Sequence, residues 1–283
     1  MTRRLLSCFG LACAALGLVW AAAAPIAAPG ETADLLPDLA QRRPMDLRIC
    51  NDDGNVDEND CPPDAGEARH LRFTTEALNR GAGPLELEPR AEDCDGNGDP
   101  GDDRAGYQRI YQDVDGNGRF RRTVDTSIRS LEEPSGCSHL HVEHNHWHFG
   151  DFARYVLLEL GPGGAVGEAV APAGDKISHC VTDSAVRRPN LPGSPKSSFY
   201  FGSPLGCGRD DISGISVGWV DRYTWRLEGQ SIDITGVPDG DYCLRVKVDP
   251  SHRLLESRER NNGRSIKVTL SGNSVDYFPY EPC

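Results

Sequence analysis

Five of the eight histidines in this chain fall within ten residues, in the run His139-Leu-His141-Val-Glu-His144-Asn-His146-Trp-His148. Side chains at alternate positions of an extended strand leave by the same face, so the imidazoles of His144, His146 and His148 would converge on one point, whereas a helix would scatter them. Trp147 and Phe149 interleave them, which predicts an apolar face toward the core and a ligand face away from it. Three neutral imidazoles suit a borderline transition metal, and copper(II) is bound most tightly by nitrogen sites in the divalent series. The spacing alone does not separate copper from zinc or iron, and a zinc hydrolase would use the same three rings with a water in the fourth position. His139 and His141 form a further His-x-His pair, readable as supporting partners of the ligands or as exposed groups.

A second chemistry is written in oxygen. Asp-Gly-Asn recurs at 53–55, 95–97 and 115–117, and two copies sit in the pattern D-x-D-x-N-G, from Asp93 to Gly98 and from Asp113 to Gly118. Asp93, Asp95 and Asn97, and likewise Asp113, Asp115 and Asn117, have the spacing that opens a calcium loop, with glycine for the sharp turn. The twelfth loop positions hold Arg104 and Val124 rather than a glutamate. The two segments read equally as weak calcium loops or as solvated acidic turns.

Strands must carry these groups. Ala153 to Leu160 is a β-rich apolar run; Ser231 to Thr235 puts Ile232 and Ile234 on one face; Tyr242 to Val248 puts Tyr242, Leu244, Val246 and Val248 on one face; Arg264 to Leu270 alternates as well. Pro238-Asp239-Gly240-Asp241 reads as a hairpin turn between the second and third of these. Long helical periodicity is absent, and 20 prolines with 31 glycines fit strands joined by long loops. The expected fold is mainly β: one β-sandwich-like domain with long loops, stabilised by disulfides.

The net charge of -13 disfavours nucleic acid, which needs a basic face, and favours cationic ligands. Residues 1–28 read as a signal peptide, with Arg3 and Arg4 before an apolar run from Leu5 to Trp20 and small residues after it; a membrane anchor is the competing reading. Losing both arginines would take the charge from -13 to -15. Nothing after residue 30 is long and apolar enough to cross a membrane. Of ten cysteines, Cys8 and Cys13 lie in the leader and eight remain, an even set that suits disulfides in an exported protein. The expected organisation is a leader at 1–28 and one domain at 29–283, with the acidic insertions inside 50–125.

The run from His144 to Leu158 resembles the copper motif of the lysyl oxidase family, H-x-H-[YW]-H followed by a strand containing Y-x-L-L, here Tyr155-Val-Leu-Leu. Gly174-Asp-Lys176-Ile-Ser-His-Cys180-Val-Thr-Asp183 resembles that family's G-H-K-A-S-F-C-L-E-D segment. Asp221-Arg-Tyr223 precedes Gln230-Ser-Ile-Asp-Ile-Thr235 at the family's spacing, and Pro238 to Tyr242, Val248-Asp-Pro250 and Glu256-Ser-x-x-x-Asn261-Asn262 follow in order. The similarity runs from about Pro37 to Leu270. It implies copper(II) on His144, His146 and His148, and a lysine tyrosylquinone made by the protein from Lys176 and Tyr223. It also implies oxidative deamination of primary amines, either protein lysines or small amines, by dioxygen to aldehyde, ammonia and hydrogen peroxide. The required base is not evident; Asp221, two residues before the tyrosine, is one candidate, and a turn or surface carboxylate is its plainer reading.

The resemblance further implies a structural calcium on Asp38, the Leu39 carbonyl, Glu256, Asn261 and Asn262. Arg258 stands where the family often has aspartate, and Glu259 is the residue placed to compensate. Cys180 with Cys207 looks retained from the family; Glu143 and Trp219 replace family cysteines, and Cys243 has Cys283 as an available partner. The implied setting is secreted or periplasmic, in a bacterial-type exported protein without a membrane contact after leader removal. A secreted calcium- or copper-binding β protein without catalysis is the alternative from a different class.

Overall fold

The strand Arg69–Asn79 has 11 residues and organises the molecule. Its odd positions, Leu71, Phe73, Thr75 and Ala77, are buried in the core, and its even positions include the fully buried Arg72 and Glu76. Ser231–Asp233 and Trp219–Tyr223 pair along it, as do Met45–Asn51 and Leu39–Gln41, all antiparallel. In the computed structural model, residues 32–51, 61, 68–141, 146–175, 181–200, 208–227 and 229–283 are described. The leader and Lys176, Cys180, Cys207 and His144 lie outside them, and of His141 and His146 only the backbone is described.

A second sheet runs Val166–Ala169, Ala153–Leu160, Gly240–Val248, Gly263–Ser271 and Ser274–Phe278 in spatial order. It lies against the first through one shared core that includes Leu71, Phe73, Tyr155, Leu157, Leu244, Val246, Ile266 and Val268. Phe73 meets the Tyr155 ring edge-on at 5.0 Å between centroids. The predicted faces hold: Tyr242, Leu244, Val246 and Val248 are all buried, as are Ile232 and Ile234.

The third sheet holds Ser213–Ile215, Leu85–Arg90, Asp103–Gln112, Gly136–His141 and His146–Phe149 in that order, with its apolar positions Leu85, Leu87, Phe149 and Ile215 in the same core. Residues 32–283 form one compact unit, and no helix among the described residues is long and apolar enough to cross a membrane.

The expected hairpin across Pro238–Asp241 does not form. Ser231–Asp233 pairs with the 69–79 strand, while Gly240–Val248 pairs with Ala153–Leu160 and Gly263–Ser271 in the other sheet. The segment between them crosses from sheet to sheet, because Ile232 and Ile234 cover Leu71 and Phe73 on one side of the core while Leu244 and Val246 enter it from the other.

Three disulfides are present among the described residues: Cys50–Cys61, Cys94–Cys137 and Cys243–Cys283. The third is the pair available in the sequence. Cys94–Cys137 closes a separation of 43 residues, worth about 4 kcal/mol in the chain-entropy picture, and ties the first acidic loop to the first histidine strand.

Candidate active site and cation clamp

The histidine run folds as two antiparallel strands, Gly136–His141 and His146–Phe149. The register sets His139 opposite His148 and His141 opposite His146. Directly opposed residues share a face with Cβ atoms about 5 Å apart, so the backbone gathers two His-x-His pairs onto one face. On the other face Trp147 and Phe149 are buried, as alternation predicts. The Phe149 ring needs Gly106 and Gly136 beneath it: a Cβ on them would stand 2.7 Å and 2.3 Å from its carbons.

His148 is buried. His139 is not simply exposed, since its Nδ1 lies 2.8 Å from Oδ1 of Asp103, which is buried and pairs with it in register. With the Nδ1 proton held by a carboxylate, Nε2 carries the lone pair, the arrangement that orients metal-binding imidazoles. The other oxygen of Asp103 accepts the amides of Cys94 and Asp95 at 3.2 and 3.0 Å, so the first acidic loop buttresses the histidine strand.

Tyr223 is buried beside Asp221, on the core face of Trp219–Tyr223. Burial first, then the charge and hydrogen bond of Asp221 and the nearby Tyr155, push its phenol well above the ordinary tyrosine range. Asp221 is thus a buried carboxylate against the phenol, not a surface or turn residue. Thr75, opposite Tyr223 in register, lies 3.3 Å from the Tyr155 hydroxyl, which donates to Gln230 at 3.0 Å.

Lys176 lies outside the described residues, but the chain on both sides of it meets these groups. Gly174 and Asp175 pair with Tyr155 and Arg154. After the gap, Val181 enters the core, the Thr182 amide donates to Asp221 Oδ1 at 3.4 Å, and Ala185–Val186 pairs with Trp219 and Val220. Val181 and Thr182 also line, with Trp147 and Phe149, a cavity of about 280 Å³ behind the histidine hairpin.

Asp38, Leu39, Glu256, Asn261 and Asn262 are brought together and buried. Glu256 accepts the Leu39 amide at 2.5 Å and the Asn262 side-chain amide at 2.7 Å; the Asn261 amide donates to Asp38 at 2.6 Å and to the Leu39 carbonyl at 3.2 Å. Both asparagine Oδ1 atoms are buried without a hydrogen-bond partner. Burial raises the Glu256 carboxyl to about 8, which the Leu39 amide and Asn262 only partly oppose. Unpaired oxygens and a carboxylate that resists ionisation are what a hard cation would satisfy, so the donor set fits calcium. Arg258 is exposed and takes no part, while Glu259 meets Asn262 at 3.2 Å.

The two acidic loops share one local fold. Asp93 accepts the amides of Gly96 and Gly98 just as Asp113 accepts those of Asn117 and Gly118. The second has a residue that sequence reasoning missed: Asp125, fully buried, lies within one cluster with Asp113 and Asp115. It falls one position beyond the twelfth, where the loop rule does not look. Arg104, the first loop's twelfth residue, is instead buried in the strand Asp103–Gln112.

Residues 117–278 match the family model described as lysyl oxidase. The chain belongs to the lysyl oxidase family. Among curated proteins it is 28% identical over 174 residues to Lysyl oxidase homolog 2 of Bos taurus, covering 60% of this chain and 19% of that protein. It is 33% identical over 136 residues to Lysyl oxidase homolog 1 of Homo sapiens, covering 48% of this chain and 21% of that protein. The match thus spans about a fifth of the length of these relatives. The lysyl oxidase match contains the histidine hairpin, Lys176, Tyr223 and the 256–262 half of the clamp, and leaves Asp38, Leu39 and the first acidic loop outside it.

Proposed function

We propose that this protein is an exported copper-dependent amine oxidase that oxidises primary amines, on protein lysines or small molecules, with dioxygen. His144, His146 and His148 would hold copper(II), and Lys176 and Tyr223 would be joined as lysine tyrosylquinone. Copper would supply the oxidation of the Tyr223 ring, and the quinone would supply the electron sink for the amine. The observation that carries this reading is the setting of Tyr223: a buried phenol hydrogen-bonded to a buried carboxylate, with the chain on both sides of Lys176 fastened to its neighbours.

The residues take distinct parts. Asp221 holds the phenol proton at Oη and, through Thr182, fixes the segment that follows Lys176. Thr75, which pairs with Tyr223 in register, forms a closed and buried hydrogen-bonded group with Tyr155 and Gln230 beside it. Asp103 sets the tautomer of His139 against the copper face. Calcium in the clamp of Asp38, Leu39, Glu256, Asn261 and Asn262 would lock the N-terminal segment to the 256–262 turn. The acidic balance, 43 acidic against 30 basic residues, favours cationic amines over neutral ones. The three disulfides among the described residues suit an oxidising compartment, in keeping with the leader read in residues 1–28.

The test is hydrogen peroxide release from a simple primary amine by the copper-loaded protein, with hydrazine titration of the carbonyl. Amine-dependent peroxide that a stoichiometric hydrazine abolishes is expected. A colourless protein that neither reacts with hydrazine nor releases peroxide would instead favour the non-catalytic metal-binding reading.

A further inference from the structure

The strand pair that buries Tyr223 has a second face. Thr75 and Ala77, opposite Tyr223 and Asp221, point into the core, whereas Glu76 and Leu78, opposite Arg222 and Val220, point the other way. Over that outer face lies a pocket of about 630 Å³, within the range of small-molecule sites. Its walls carry Arg42, Arg43, Arg80, Arg187, Arg188 and Arg264, drawn from four separate segments, and no aspartate or glutamate lines it. Six guanidiniums around one pocket run against the overall balance of a chain with 43 acidic and 30 basic residues.

Two carboxylates sit behind the walls. Glu76 takes Arg42 at 2.8 Å and Arg187, and Asp38 takes Arg80 at 3.4 Å. Arg43, Arg188 and Arg264 make no ion pair among the described residues: Arg43 lies over the Tyr280 ring at 5.5 Å and Arg264 donates to the Gly263 carbonyl. The Nε of Arg80 is buried with no hydrogen-bond partner. Gathered like charges repel, and an unpaired buried donor costs free energy, so the arrangement is unfavourable until an anion enters. Guanidinium forks match the paired oxygens of phosphate and sulfate, and Tyr277 and Tyr280 add flat apolar walls at the same pocket.

We propose that this pocket is an oxyanion site taking a ligand with two or more phosphate or sulfate groups, separate from the amine oxidase centre on the other face. The test is calorimetric titration of the full chain, loaded with calcium and then freed of unbound calcium, at moderate salt, with tripolyphosphate and separately with a sulfated hexasaccharide. Saturable binding of one equivalent of either probe is expected, and the tighter probe identifies the source as a phosphorylated ligand or a sulfated polysaccharide. Combined Arg43→Ser, Arg188→Ser and Arg264→Ser substitution should weaken binding roughly tenfold or more, as loss of even one charge-assisted bond implies, with the melting temperature kept. Arg245→Ser, an exposed arginine that does not line the pocket, should leave binding unchanged. Failure of both probes to bind, or a triple variant that binds as tightly as the parent, overturns the proposal.

Discussion

The histidine hairpin and the oxygen clamp differ first in the span of chain each needs. The hairpin is local: its opposed positions 139 and 148 lie within strands joined by a short connection. The clamp joins residues 217 to 223 positions apart, Leu39 to Glu256 and Asp38 to Asn261. They differ also in donor: imidazole nitrogen suits copper, and carboxylate, carbonyl and amide oxygen suit calcium. A local nitrogen site can form wherever its hairpin forms, so losing its metal should remove chemistry and leave the fold. A long-range oxygen site exists only in the folded chain, so its ion should act as a lock on the fold.

The largest expected effect separates the two directly. His148→Ala should bring amine oxidation to background while moving the melting temperature little, as followed by peroxide release and calorimetry on the same sample. A large loss of stability would put His148 in a structural role instead. Next comes removal of the clamp's ion. With chelator, the Glu256 carboxyl is raised to about 8 from an ordinary value near 4.5. A carboxyl raised on folding contributes its stability below the unfolded value, so the cation-free protein should lose stability as pH rises from about 4.5 to 8. Calcium should flatten that slope, and saturating calcium should add about 3 kcal/mol at a hundred times its dissociation constant. Glu256→Gln should abolish the slope and most of the calcium response, as thermal melts at pH 5 and pH 8 would show. An unchanged slope in that variant would break the assignment.

Asp103→Asn should act on the hairpin and on the first acidic loop that Asp103 ties to it, weakening copper binding through the loss of the His139 orientation, with the calcium response of the Asp38–Glu256 clamp untouched. Competition with a copper indicator measures it. The smallest effect belongs to the acidic loops: Asp125→Asn should weaken calcium binding at 113–125, whereas Asp93→Asn should leave total calcium uptake unchanged, by equilibrium dialysis.

Strands with apolar alternation were legible in the sequence, as Tyr242 to Val248 illustrates. The central strand Arg69–Asn79 was not. Its even positions carry Arg72 and Glu76, which read as solvent-facing, yet Arg72 reaches the carbonyls of Trp225 and Leu227 at 3.4 Å and Glu76 is held by Arg42 and Arg187. Their partners are distant in sequence, so no local pattern announces them. The Pro238–Asp241 turn misled for the same reason: turn chemistry fixes a reversal of direction, and the core decides which strand receives it. In the candidate site, the clamp residues came from resemblance, and the fold brings them into hydrogen-bond contact. Asp103 carried no signal, because its role exists only through its register with His139.

The central claim is the pairing of Lys176 with Tyr223, and peptide mapping by mass spectrometry of the mature, copper-loaded protein tests it most directly. A single cross-linked species joining the peptides that hold Lys176 and Tyr223, absent when copper is withheld and absent in Tyr223→Phe, is the expected result. Recovery of both peptides unmodified and separate from fully copper-loaded protein would contradict it.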